Sequence, residues 1–180
     1  MSTGHADKFG NLVLYAAQQH AVAPHFGKVL LAKVLFWSDF EHFARTGRSI
    51  TGREYVKQPN GPVPDHYDSE LSRMQRWGQL ELAPEQVGPY TQQRPVALIE
   101  PDMSVFSETE RDVIDRVIGQ HQTMTASEAS AYSHVTVGWQ AARPGEHIPY
   151  GTAWIVDPTP EPTEQDHEIA RQIAVKLGRL

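Results

Sequence analysis

The chain has 180 residues, no cysteine, 16 Lys or Arg against 22 Asp or Glu, and a formal net charge of −6. Without thiolates it has no means of building a cysteine-ligated zinc site, an iron–sulfur cluster or a disulfide framework, and a reducing compartment suits it. Its length fits one domain that buries about 70% of its unfolded surface without covalent staples.

No apolar run approaches the length that spans a bilayer, and the opening MSTGHADKFG lacks the basic and apolar regions of a secretory signal. A cytoplasmic location is therefore expected. The charge is uneven: residues 1–60 carry about +3 and residues 61–180 about −9. An acidic C-terminal part disfavours phosphate contact there and suits either solubility or a basic partner.

In chain order, Phe9, Leu12, Val13, Ala16 and Ala17 predict an amphipathic helix from Phe9 to His20. The segment Phe26 to Arg45 is apolar on more than one face, which predicts a central helix, with Thr46-Gly47 as its terminator. The run Thr46 to Pro64, TGRSITGREYVKQPNGPVP, is backbone punctuation. Gly47, Gly52 and Gly61 permit positive φ, while Pro59, Pro62 and Pro64 fix φ and remove donors, so an irregular path across the central helix is expected. Glu54 to Lys57 reads as an extended segment leading to an Asn60-Gly61 turn.

Pro64 to Trp77 reads as a helix starting at Pro64 and burying Tyr67, Leu71 and Met74 with Trp77. Leu80–Leu82 and Tyr90–Ile99 suggest a hairpin over a Pro84–Pro89 loop, joined with the Tyr55 segment in one small antiparallel sheet. Ser107-x-x-Glu110 and Thr125-x-x-Glu128 have capping-box spacing and predict two helices, the second turning Ala129, Tyr132 and Val135 inward. Residues 157–164, DPTPEPTE, read as an acidic proline-rich linker. A last helix is expected within 165–180, with Ile169, Ile173 and Leu177 on one edge. The fold class is α+β: a mainly helical compact domain over residues 1–156 with a small antiparallel β-sheet.

Three chemistries compete in the residues. Asp39 and His42 share a helix face, a spacing that would serve a metal-assisted hydrolase with His134 as a third ligand, although no HExxH is present. An aspartate there also suits the free amides of the TGRSITG turn. The pair of helices over residues 107–134 has helix-turn-helix proportions and would make the chain a DNA-binding regulator, yet SEASAYSH offers no Arg or Lys to bases or phosphates. Finally, Tyr55, Lys57, Asn60, Gly61, Pro62, Trp77 and Trp139 place aromatic and cationic groups beside a proline-stiffened loop, the usual makings of a binding surface. Phosphate-binding glycine loops are missing, and no nucleophile sits beside His134 or His147 in a catalytic motif.

The Thr46 to Pro64 run, the upstream LLAKVLFWSDFEHFARTGRSITG, Ser133-His134 and Ile148-Pro149-Tyr150 together resemble the Panacea domain of SocA-like antitoxins. The resemblance spans Phe9 to Tyr150, and Phe36-Trp37-Ser38 stands where the family usually has two aromatics and a small residue. It implies a non-enzymatic antitoxin with no cofactor. It also implies a partner, a protein toxin encoded by the adjacent gene, with small alarmone synthetases among the toxin types the family faces. By resemblance the signature residues are Asp39, Gly47, Ile50, Thr51, Gly52, Tyr55, Lys57, Gly61, Pro62, Val63, Pro64, His134, Ile148, Pro149 and Tyr150.

Overall fold

In the computed structural model, which describes residues 7–155, α1 (Lys8–Gln19) leads into α2 (Lys28–Thr46), the axis around which the rest is assembled. The expected linker 157–164 and final helix lie outside the described residues. Asp7 caps α1 by accepting from the Gly10 amide, and the helix buries Phe9, Leu12, Val13, Ala16 and Ala17. Helix α2 is covered by α1, by the later helices Glu108–His121 and Ala126–His134 and by two of the strands, which is why its apolar residues run all round it. Leu30, Leu31, Val34, Leu35 and Phe36 are all at most 1% exposed, each worth about 1.5–3 kcal/mol of burial. Gly47, at φ 73°, ends the helix by donating its N–H to the Phe43 carbonyl.

After α2 the chain forms β1 (Tyr55–Gln58) and β2 (Gly61–Pro64), an antiparallel hairpin turning at Pro59-Asn60. Helix α3 (Tyr67–Arg76) follows, then β3 (Leu80–Val87) and β4 (Tyr90–Ala97), then α4 (Glu108–His121), α5 (Ala126–His134) and the short α6 (Val137–Ala141). Both capping boxes form, Ser107 with Glu110 and Thr125 with Glu128. A 3-10 turn, Tyr150–Trp154, closes the described chain. No helix among the described residues is long and apolar enough to cross a membrane.

Four expectations need correction. The strands form two separate two-stranded sheets rather than one. β3 and β4 extend through Pro84 to a turn at Gly88-Pro89, because Pro84 faces Gln93 on an edge where no partner needs its N–H. Pro64 does not begin α3: it pairs with Tyr55 at the end of β2, and Asp65-His66 makes the turn, with His66 at φ 57°. In α5, Ala129 and Ser133 are buried, but Tyr132 is 42% and Val135 58% exposed, since a nine-residue helix seated on α2 and β2 turns only one narrow edge inward.

Candidate partner-binding hairpin

The β1–β2 hairpin is held from four directions. Beneath it, Asp39 of α2 has no exposed surface and takes four donors: the Ile50 and Thr51 amides at 2.7 Å each, the Thr51 hydroxyl at 2.5 Å and the Tyr55 hydroxyl at 2.8 Å. Burial pushes its carboxyl above the usual range, and the Thr51 and Tyr55 donors oppose that rise. The same burial, with the Asp39 charge, lifts the Tyr55 phenol well above its ordinary value. One carboxylate thus sets both the turn after α2 and the first residue of β1.

Farther along α2, Lys33 is fully buried and donates to the Pro62 carbonyl at 2.8 Å. Desolvation lowers its ammonium to about 7. Gly61 sits over it at φ 98°, and a Cβ there would collide with the Ser133 hydroxyl and meet Lys33 Cε at 2.7 Å. Only glycine lets the turn approach α2 and α5 this closely.

On one flank, Ser130 donates to the Asn60 carbonyl at 3.0 Å and the Trp139 indole donates to the Gln58 carbonyl at 3.3 Å. Lys57 lies 4.1 Å over the Trp139 ring and donates to the Ala142 carbonyl, while His134 stacks on the same indole at 3.8 Å. Desolvation, then the charges of Lys33 and Lys57, lower the His134 imidazole. On the other margin of β1, segment 145–148 adds a third extended stretch: Lys57 donates to the Glu146 carbonyl, Gly145 to the Lys57 carbonyl and Ile148 to the Tyr55 carbonyl. Tyr150 stacks on Phe40 and donates to the Arg53 carbonyl at 2.5 Å. Beyond β2, Pro62 and Pro64 offer no N–H, and a groove of about 470 Å³ opens, lined by Lys28, Val29, Asn60, Val63, Asp65 and Tyr67.

The residues expected to bind a partner divide accordingly. Lys57, Asn60 and Trp139 gather at the hairpin tip, Asn60 exposed and the other two half-buried. Tyr55, Gly61 and Pro62 are buried, so the expectation that they present a surface is corrected: the tyrosine is consumed by Asp39 and the turn by α5. Trp77 is 64% exposed beyond the end of α3 with Arg73 over its ring, and the contacts that gather the tip do not include it. Asp39, Gly47, Thr51, Gly52, Pro64, His134, Ile148, Pro149 and Tyr150 all lie in or against the hairpin and its approach. Lys33 was missed in the sequence, although a lysine in the middle of LLAKVLF, on a helix apolar all round, is a signal of a buried ammonium.

Neither competing chemistry is assembled. Both Asp39 oxygens are spent on protein donors, and among the described residues neither Asp39 nor His42 belongs to a cluster of side chains whose ligand atoms converge for a metal. Another group, Glu54, Asp65 and His147, brings its ligand atoms within 4.8 Å of one another at the base of the hairpin. The outward residues of α5 are Ser127, Glu128, Ala131 and Tyr132, which leaves that helix nothing cationic to offer DNA.

A family model described as "Antitoxin SocA-like, Panacea domain" matches residues 31–140, more than half of the chain. No curated protein and no solved structure matches it.

Proposed function

The chain belongs to the antitoxin SocA-like, Panacea domain family, and from that premise we propose that it neutralises a protein toxin by binding it directly, without catalysis of its own. The hairpin tip is the docking face: Asn60, with Gln58 and Pro59, projects from a turn fastened by Ser130, Trp139 and Lys33. The observation that carries this reading is that fastening. A turn already ordered in the free protein loses little entropy on docking, and the half-buried Trp139 and Lys57 beneath it supply the aromatic and cationic contacts that concentrate binding energy. The adjoining groove gives the toxin a concave surface on which to seat a projecting side chain.

The toxin is the product of the adjacent gene, with a small alarmone synthetase as the expected type, and the complex forms in the cytoplasm. Co-expression of the two genes tests this. Growth should be rescued and the two proteins should co-purify in a fixed ratio; a toxin that stays active in the presence of excess antitoxin, with no complex recovered, would overturn the proposal.

A further inference from the structure

The base of the hairpin gathers chemistry that the docking face does not use. Glu54 precedes β1, Asp65 follows β2 and His147 lies on the extended stretch beside β1, so three separate segments deliver ligand atoms that all lie within 4.8 Å of one another. Backbone pairing fixes all three. The Asp65 amide donates to the Glu54 carbonyl at 2.8 Å, His147 bridges to Val56, and the Ile148 amide donates to the Tyr55 carbonyl at 2.7 Å. The side chains are aimed as well. The His66 amide donates to Asp65 Oδ1 at 2.9 Å, which leaves Oδ2 facing His147 Nε2 at 3.3 Å and His66 Nε2 at 3.6 Å. On the other side of its ring, His147 Nδ1 is 3.7 Å from Glu54 Oε2.

We infer that Glu54, Asp65 and His147, with His66 as a fourth donor, hold a divalent cation of the zinc class. The spacing supports it: two atoms each about 2.0–2.1 Å from one tetrahedral ion are ~3.3 Å apart, and Asp65 Oδ2 and His147 Nε2 already stand at that separation. Charge supports it too. Among the described residues no Lys or Arg forms an ion pair with Glu54 or Asp65, whose carboxylates face imidazoles alone. A neutral imidazole donates from only one nitrogen, so one of the two carboxylates beside His147 then meets a lone pair. A dication removes that conflict, taking the lone pair and balancing both negative charges. The donor set selects the metal: imidazole nitrogen beside carboxylate oxygen suits zinc and its transition-metal neighbours, whereas magnesium and calcium prefer oxygen alone. Glu54, His66 and His147 are exposed, so the ion enters from solvent. Once bound, it fastens segment 145–148 to both ends of the hairpin.

Calorimetric titration of the metal-free full chain with zinc chloride at neutral pH should give one ion per chain. The melting temperature should rise with zinc concentration, as it does for a ligand that binds only the folded state. His147→Ala should weaken zinc binding about tenfold or more while melting like the parent in EDTA. Asp65→Asn should weaken it similarly, in a side chain of the same shape whose remaining oxygen still accepts from the His66 amide. Magnesium chloride should leave the melt where it is. Zinc bound in no fixed ratio would overturn the inference, as would full affinity in both variants, which would put the ion elsewhere. Equal service by magnesium would remove the imidazoles from the site and overturn it too. The rival arrangement, a protonated His147 bridging two carboxylates without an ion, requires identical melts in zinc and in EDTA. No toxin takes part in these measurements, so their outcome is separate from that of the docking face.

Discussion

The Lys33 ammonium is 2.8 Å from the Pro62 carbonyl, and among the described residues no carboxylate forms an ion pair with it. The central helix therefore holds the hairpin through an ammonium whose charged form burial disfavours.

Stability should depend on that cation in a defined direction. Lys33 titrates at about 7 in the folded chain and near 10.4 when unfolded, so between those values the unfolded state binds more protons. Its contribution to stability is accordingly least favourable at and below pH 7 and improves as pH rises, by about 1.4 kcal/mol per unit. Urea denaturation from pH 7 to 9.5 should show this rise in the parent and a flat response in Lys33→Met. Parallel curves for the two proteins would refute it.

Asp39 is the larger structural commitment. Asp39→Ala leaves the Tyr55 hydroxyl and two amides without an acceptor in a dry site, and should cost about 3 kcal/mol or more in chemical denaturation. Tyr55→Phe removes one donor from a carboxylate that keeps three others, and should cost about 1–2 kcal/mol. An Asp39→Ala protein as stable as the parent would contradict the anchoring role.

Two glycines with similar backbone should respond differently. Gly47→Ala meets only the strain of φ 73° in open space and should lose about 1 kcal/mol. Gly61→Ala adds a collision with Ser133 and Lys33 to a φ of 98°, and should lose about 2 kcal/mol or more while displacing the tip. Thermal melts of the two variants decide the order, and the amide shifts of Ser130 and Trp139 report the displacement.

On the acid side, His20 and His121 govern. Each ring is fully buried, bonds its Nδ1 to the carbonyl four residues earlier (Ala16 and Val117, 2.8 Å each), and leaves Nε2 without a partner among the described residues. Desolvation lowers both imidazoles, and the backbone bonds only partly offset it. The unfolded chain takes up protons near pH 6.5 while the folded one resists, so stability is intact above that value and falls as pH drops below it. His121→Gln should soften the decline between pH 6.5 and 5; an unaltered slope would show that this histidine is not responsible.

At the tip, Asn60→Arg changes an exposed side chain while its carbonyl still accepts from Ser130. Toxin affinity should fall roughly tenfold, about 1.4 kcal/mol, with the melting temperature unchanged. Binding assays with the purified pair would measure it, and full affinity in this variant would move the docking face elsewhere.

Much of this architecture was legible in the residues. The spacing of Phe9 to Ala17, the all-round apolar character of α2 and the two capping boxes report local helical physics, and the elements formed where that physics places them. Asp39 was readable as an anchor because a turn full of unpaired amides follows one helix end. The departures have a shared cause in tertiary contact. Pro64 looks like a helix start until β1 pairs with it, Tyr55 looks like a binding aromatic until Asp39 claims its hydroxyl, and the split into two sheets depends on α2 and α3 lying where no periodicity records them. Lys33 was overlooked because its meaning comes from having helices on every side.

The two prolines of β2 have a bearing on how the protein keeps company. Val63 points its N–H inward to β1, and the positions facing outward are imino acids, so that flank cannot template an incoming strand, while the flank of β1 is already occupied by 145–148. A hairpin sealed in this way cannot polymerise by stacking ribbon on ribbon. Whatever settles on it must recognise side chains and contour, a mode of attachment that favours one matched guest over indiscriminate pairing.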